Sequence, residues 1–161
     1  MSPRAEKIGI FVDVQNIYYT TRDAFGRPFN YRALWQILSC KGDIIIANAY
    51  AIDRNNESQR TFQSALRHIG FNIRLKPYIQ RADGSAKGDW DVGITIDILH
   101  NSPSLDRIFL LSGDGDFDLL VEAVQTKHSV PVEVYGVSAL TADSLKRVVS
   151  CFHPITKSML I

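Results

Sequence analysis

Five short apolar runs punctuate this chain: "KIGIFVD" at 7–13, "DIIIANAYAI" at 43–52, "NIRLKPY" at 72–78, "RIFLLS" at 107–112 and "VPVEVYG" at 130–136. They are rich in Ile, Val and Phe and show little strict alternation. A strand with one wet face alternates apolar and polar residues. A strand that does not alternate is covered on both faces, as central parallel strands are. Helical periodicity fills the intervals. Tyr31, Leu34, Trp35 and Leu38 recur at i, i+3, i+4 and i+7, as do Phe117, Leu120, Val121 and Val124. Phe62, Ala65, Leu66 and Ile69 do the same, with Gly70 as a stop. The segment "DVGITIDILHN" at 91–101 has a broader apolar surface and predicts a more buried helix. "TADSLKRVVSCF" at 141–152 predicts the last helix, starting near Thr141 or Ala142. Strands alternating with helices predict an α/β fold with a mostly parallel sheet. The polar stretch "PYIQRADGSAKGDW" at 77–90 reads as an interruption, with Ala82 to Ser85 as a turn or mobile loop.

The 161 residues fit a single domain spanning 1–161, long enough to bury a core without staples. Cys40 and Cys151 form no CxxC or Cys/His ligand spacing, so the expectation is two reduced, partly buried thiols. "IGIFV" at 8–12 is too short for a signal segment or a membrane span and is ended by Asp13. The expected location is cytoplasmic, without a membrane partner. Net charge is +1 and singles out no partner, but its distribution is uneven. Residues 1–88 hold 13 Lys/Arg against 7 Asp/Glu, and residues 89–161 hold 5 against 10. Either an acidic focus sits beside a basic apron, as an enzyme handling a polyanion through metal ions requires, or the halves interleave and the asymmetry cancels.

Ligands of open α/β sheets bind beyond the carboxyl ends of the strands. Carboxylates collect at those predicted ends. "FVDVQN" puts Asp13 at the rim of the first strand, with Asn16 just beyond. Asp89 and Asp91 open the helix at 91–101, and "SGDGDFD" delivers Asp114, Asp116 and Asp118 after the strand at 107–112. Each acid alone has a plain alternative as a helix N-cap. If the strands ending at Asp13 and Ser112 are neighbours, four carboxylates converge without a nearby Lys or Arg in sequence to neutralise them. Such a cluster calls for cations or raised pKa values. A calcium EF-hand fails, because Leu119 and Gln125 stand where that loop needs Gly and a bidentate Glu. Hard Mg²⁺ or Mn²⁺, which keep waters and leave room for phosphate, fit better. Gly113 and Gly115 would let backbone approach such ions. No GxSxG elbow, Walker sequence or HExxH motif appears.

Three motifs in order, "IFVDVQNIYY", "KGDWDVGITIDIL" and "LLSGDGDFDLLV", resemble the NYN domain family, in its LabA-like bacterial branch. "VYGVSALTADSLKRV" is similar to that branch's closing segment, and the resemblance runs from about residue 7 to 150. NYN domains are relatives of PIN-like nucleases. The resemblance therefore implies a Rossmann-like three-layer α/β/α sandwich, an acidic pocket for Mg²⁺ or Mn²⁺, and RNA cleavage. Carried over by motif, Asp13, Asp91, Asp114 and Asp116 are the candidate metal ligands and catalytic acids, together with Asn16. Asn16, Ser112, Lys87 and Arg81 are candidates for contacting RNA. Asp89 competes with Asp91, because Asp89 and Trp90 both intervene where the family usually has one residue. Asp97 matches an acidic position but lies about 600° around a helix from Asp91, so it ranks as a supporting residue. Asp118 falls outside the motif and reads as surface. Gln15 stands where a small residue is common. The expected function is a metal-dependent ribonuclease, with a regulatory RNA- or protein-binding module of the same fold as the alternative. A homodimer and a protein partner stay open.

Overall fold

The computed structural model describes residues 5–54, 56–77, 79–80, 86–87 and 89–161, without the side chains of 77–80 and 86–87. The chain runs β1 (Lys7–Asp13), α1 (Val14–Phe25), α2 (Tyr31–Ser39), β2 (Asp43–Asp53), α3 (Glu57–Ile69) and β3 (Asn72–Pro77). A small antiparallel ribbon follows, β4 (Ile79–Gln80) with β5 (Ala86–Lys87). Then come α4 (Asp91–Asn101), β6 (Arg107–Leu111), α5 (Asp118–Lys127), β7 (Val132–Gly136), α6 (Asp143–Val148) and β8 (Cys151–Pro154). The main sheet has six strands in the order β3-β2-β1-β6-β7-β8, and every neighbouring pair is parallel.

The absence of alternation has the cause the sequence implies: both faces are covered. Ile8, Ile10 and Val12 point to one face and meet Ile17, Leu34, Leu38 and Leu66 from α1, α2 and α3. Phe11, Ile108 and Leu110 point to the other and meet Ile94, Ile98, Leu120, Val124 and Leu145 from α4, α5 and α6. The result is a three-layer α/β/α sandwich. Burying one Leu or Ile side chain contributes about 1.5–3 kcal/mol, so each layer interface is held by many such increments. The strands of residues 1–88 fill one half of the sheet and those of 89–161 the other. They meet at the β1/β6 seam, where strand order reverses direction.

Four expectations need correction. The helix at 91–101 is not a more buried one: only Ile94 and Ile98 are buried, and Val92, Ile96 and Leu99 are exposed. Residues 141–152 are not one helix: α6 ends at Val148, and Cys151–Pro154 forms the edge strand β8. The β-branched pair Val148-Val149 and the closing Pro154 favour extended chain over helix there. The cysteines are exposed rather than partly buried. Cys40 caps the C-terminal end of α2, and Cys151 opens an edge strand. Gly113 and Gly115 do not have positive φ, so backbone freedom is not their role. A Cβ on Gly113 would sit 2.8 Å from the Leu140 carbonyl oxygen, and one on Gly115 would sit 2.8 Å from Ala142 Cβ. They are glycines because the segment before α6 packs against them. The turn expected at Ala82–Ser85 and the end of the third run at Tyr78 lie outside the described residues. Among the described residues, no helix is long and apolar enough to cross a membrane.

Candidate metal centre

The β1/β6 seam is a topological switch point, and the acids gather at its carboxyl end. Asp13 is the last residue of β1 and the N-cap of α1, so strand and cap roles fall on one residue. Its Oδ1 accepts the Asn16 N–H (3.4 Å) and its Oδ2 accepts the hydroxyl of the fully buried Ser112 (3.1 Å). Ser112 Oγ in turn accepts the Asp114 N–H (3.1 Å). Asn16 Oδ1 accepts the Gly113 N–H (2.8 Å), which ties α1 to the loop after β6. Asp114 caps the short 3-10 turn Gly115–Phe117 by accepting the Asp116 N–H (2.9 Å). The whole loop is held from behind by the Ala142 N–H, which donates to the Gly113 carbonyl (3.0 Å).

Asp91, Asp114 and Asp116 each offer a carboxylate oxygen within 4.8 Å of the other two. Asp13 stands behind this triple, buried, with an oxygen committed to Ser112. Burial pushes Asp13 up to about 6, against the opposing pull of the Ser112 and Asn16 hydrogen bonds, and the charges of Asp114 and Asp89 add to the rise. Burial also pushes Asp91 up to about 7, helped by its hydrogen bond with Asp114 and by the charges of Asp114, Asp89 and Asp13. Among the described residues, no Lys or Arg forms a salt bridge with any of these acids. Three oxygen donors, shared negative charge and no balancing cation form a donor set that fits a hard divalent ion.

The other expected residues divide. Asp89 is exposed; its Oδ1 accepts the Asp91 N–H (3.4 Å) and its carbonyl accepts the Lys76 ammonium (3.1 Å). It precedes Trp90, the N-cap of α4, and lies outside the triple. Asp97 faces away, accepting hydrogen bonds from the Tyr50 hydroxyl (2.8 Å) and Arg74 (2.8 Å). Asp118 is half-buried in the first turn of α5 and also lies outside the triple. Arg81 lies outside the described residues, and Lys87 is described only as backbone of β5.

Sequence reasoning passed over Trp90, which fixes the start of α4. Its indole N–H donates to the Ala51 carbonyl of β2 (2.8 Å), and its ring packs on Tyr50 with centroids 5.3 Å apart. Gly93 lies beneath that ring; a Cβ there would fall 2.5 Å from Trp90 Cε3. The signal available in sequence was a Trp directly before a candidate ligand, too little to separate an anchor from an ordinary core aromatic.

Fold and site together define a three-layer α/β/α architecture with an acidic pocket at its switch point. The chain belongs to the NYN domain family, whose profile matches residues 7–156. The protein LabA ("low amplitude and bright") of Synechococcus elongatus is 28% identical over 154 residues, covering 91% of this chain and 82% of that protein. A crystal structure of a protein of unknown function from Vibrio parahaemolyticus is 48% identical, with a TM-score of 0.95 over 100% of this chain and 99% of its own. A bacteriophage T5 flap endonuclease, crystallised with DNA and metal ions, matches at a TM-score of 0.50 and 12% identity, over 82% of this chain and 56% of its own. That last likeness is one of fold.

Proposed function

We propose that this protein is a ribonuclease dependent on Mg²⁺ or Mn²⁺ that cleaves RNA internally. One observation carries the reading: Asp91, Asp114 and Asp116, from two separate segments, converge within 4.8 Å without a balancing Lys or Arg among the described residues. Folding alone gains nothing from that repulsion. Asp91, Asp114 and Asp116 would hold the ion. A divalent ion bound there supplies a more acidic water and neutralises charge on the phosphodiester. Asp13, whose Oδ2 accepts the Ser112 hydroxyl, would hold a proton or a negative charge at the buried side of the pocket. Asn16, fixed by the Gly113 N–H, keeps its amide beside the pocket without adding charge. Lys76, which bonds the Asp89 carbonyl, brings a cation to the rim, and Arg81 and Lys87 stay the candidates in sequence for contacting the RNA backbone.

The test incubates varied RNAs with Mn²⁺ or Mg²⁺ and compares wild type with Asp91→Asn and Asp114→Asn. Cleavage by wild type alone supports the reading. Equal cleavage by all three, or none by any while Mn²⁺ still binds, would replace it with a regulatory binding module of the same fold.

A further inference from the structure

Beside the acidic centre lies a second concavity of about 470 Å³, between the start of α1, the end of β2 and the first turns of α3. Its wall begins with Val14 and Gln15, the residues that directly follow Asp13. The size lies within the roughly 300–1,000 Å³ range of small-ligand sites. Two wall residues are unusual. Tyr31 and Gln63 are each 6% exposed, yet neither side chain hydrogen-bonds to a described residue. No side-chain polar atom sealed from solvent lacks a partner among the described residues. The Tyr31 hydroxyl and the Gln63 amide must therefore open onto the concavity they line. A buried polar group left to water alone is costly when water is displaced by anything that cannot hydrogen-bond. Tyr31 also feels the charge of Asp13, which together with burial raises its pKa, so this wall lies electrically close to the acids.

The remaining wall is mostly flat and apolar. Phe62 packs edge-on against Tyr31, with ring centroids 5.8 Å apart, and Tyr18 is 56% exposed at the mouth. Arg54 is the one charged residue among the described wall residues. Aromatic rings with a neutral amide and a hydroxyl suit a planar, uncharged, hydrogen-bonding group.

We infer that this concavity is a nucleobase subsite: an unpaired base of the RNA strand inserts between the aromatic side chains and is read on its edge by Gln63 and Tyr31. The inference rests on the ribonuclease reading for its ligand. Stacking of bases on aromatic side chains and edge recognition by amides are the general means of holding single strands.

The test is kept independent of catalysis. Uncharged nucleosides (adenosine, guanosine, cytidine and uridine) are titrated into the full chain in EDTA, with ribose as the control lacking a base. The readout is the NMR shift of the Gln63 side-chain amide. At least one nucleoside should shift that signal where ribose does not, and Gln63→Leu, followed by calorimetry because it lacks that amide, should weaken its binding by about tenfold, the scale of one lost hydrogen bond. Tyr18→Ala, at an exposed position, should weaken it too and guards against a folding failure of the Gln63 variant. No shift with any nucleoside, or the same shift with ribose, overturns the subsite whatever the cleavage assay gives. Nucleoside binding in a protein that cleaves no RNA upholds the subsite and overturns only the ribonuclease reading.

Discussion

Asp91 and Asp97 lie on one helix and carry the same group, yet their surroundings separate them. Asp91 shares a pocket with like charges, whereas Asp97 is matched by Tyr50 and Arg74. Asp91→Asn should abolish saturable Mn²⁺ binding measured by calorimetry while leaving the fold intact. Asp97→Ala should leave Mn²⁺ binding in place but cost about 1–3 kcal/mol in urea denaturation, because the Tyr50 hydroxyl and Arg74 lose their acceptor. Asp13 makes a pH prediction. Its folded value of about 6 lies above the unfolded value near ~3.9. Between those values the folded state holds the proton more tightly, so stability falls as pH rises. The metal-free protein should therefore lose about 1–3 kcal/mol between pH 4 and pH 7, less in Asp13→Asn. Glu6 and Glu133 act in the opposite sense. Hydrogen bonds from Arg107 hold Glu6 low, and those from His153 and Arg107 hold Glu133 low despite its burial, so their contribution is lost only on acidification below the ordinary carboxylate range. Thermal melts in EDTA across that range check the slope.

At the scale of elements, α4 is held to the sheet by Trp90, and Gly93 makes room for its ring. Gly93→Ala should cost about 1–3 kcal/mol from overpacking and should also weaken Mn²⁺ binding, since the ring it displaces positions the first turn that carries Asp91. Calorimetry and denaturation on the same variant read both effects. The elements also differ in how plainly the sequence announced them. The buried strands and the stripe of α2 were legible because Leu and aromatic side chains fill the inward positions, whereas the stripe expected in α3 is shifted: Phe62 and Ala65 are exposed, and Gln63 is buried beside Leu66. Helix α1 was not, because its inward face carries Thr20 and Thr21 beside Val14 and Ile17. Those threonines hide their hydroxyls by bonding back to the carbonyls of Asn16 and Ile17 (2.8 and 2.7 Å), so polar residues fill apolar positions. Strand β8 was missed because an edge strand of four residues has no buried face to give a period. The convergence of Asp13, Asp91 and the "SGDGD" loop was legible only through the joint rule of strand ends and motif order. Nothing in the sequence told which acid would stand behind the others, since that depends on the hydroxyl of Ser112.

Across the whole molecule, stability and the acidic centre occupy opposite ends of the sheet. At the amino end of β6, Arg107 bonds Glu6 (2.7 Å) and Glu133 (2.7 Å), and Glu133 also meets His153 on β8. This chain of contacts spans β1, β6, β7 and β8. Arg107→Met should lower stability by about 1–3 kcal/mol, as removal of a partner from a half-buried ion pair does, and leave Mn²⁺ affinity unchanged. Denaturation and calorimetry separate the two. The carboxylates themselves come from distant parts of the chain, with Asp13 near the start and Asp114 beyond the middle. β1 lies between β2 and β6, so the seam exists only once β6 has joined it. During synthesis Asp13 leaves the ribosome long before Asp114. The acidic pocket is therefore absent from the emerging polypeptide until the segment carrying Asp114 has been made and β6 has joined β1.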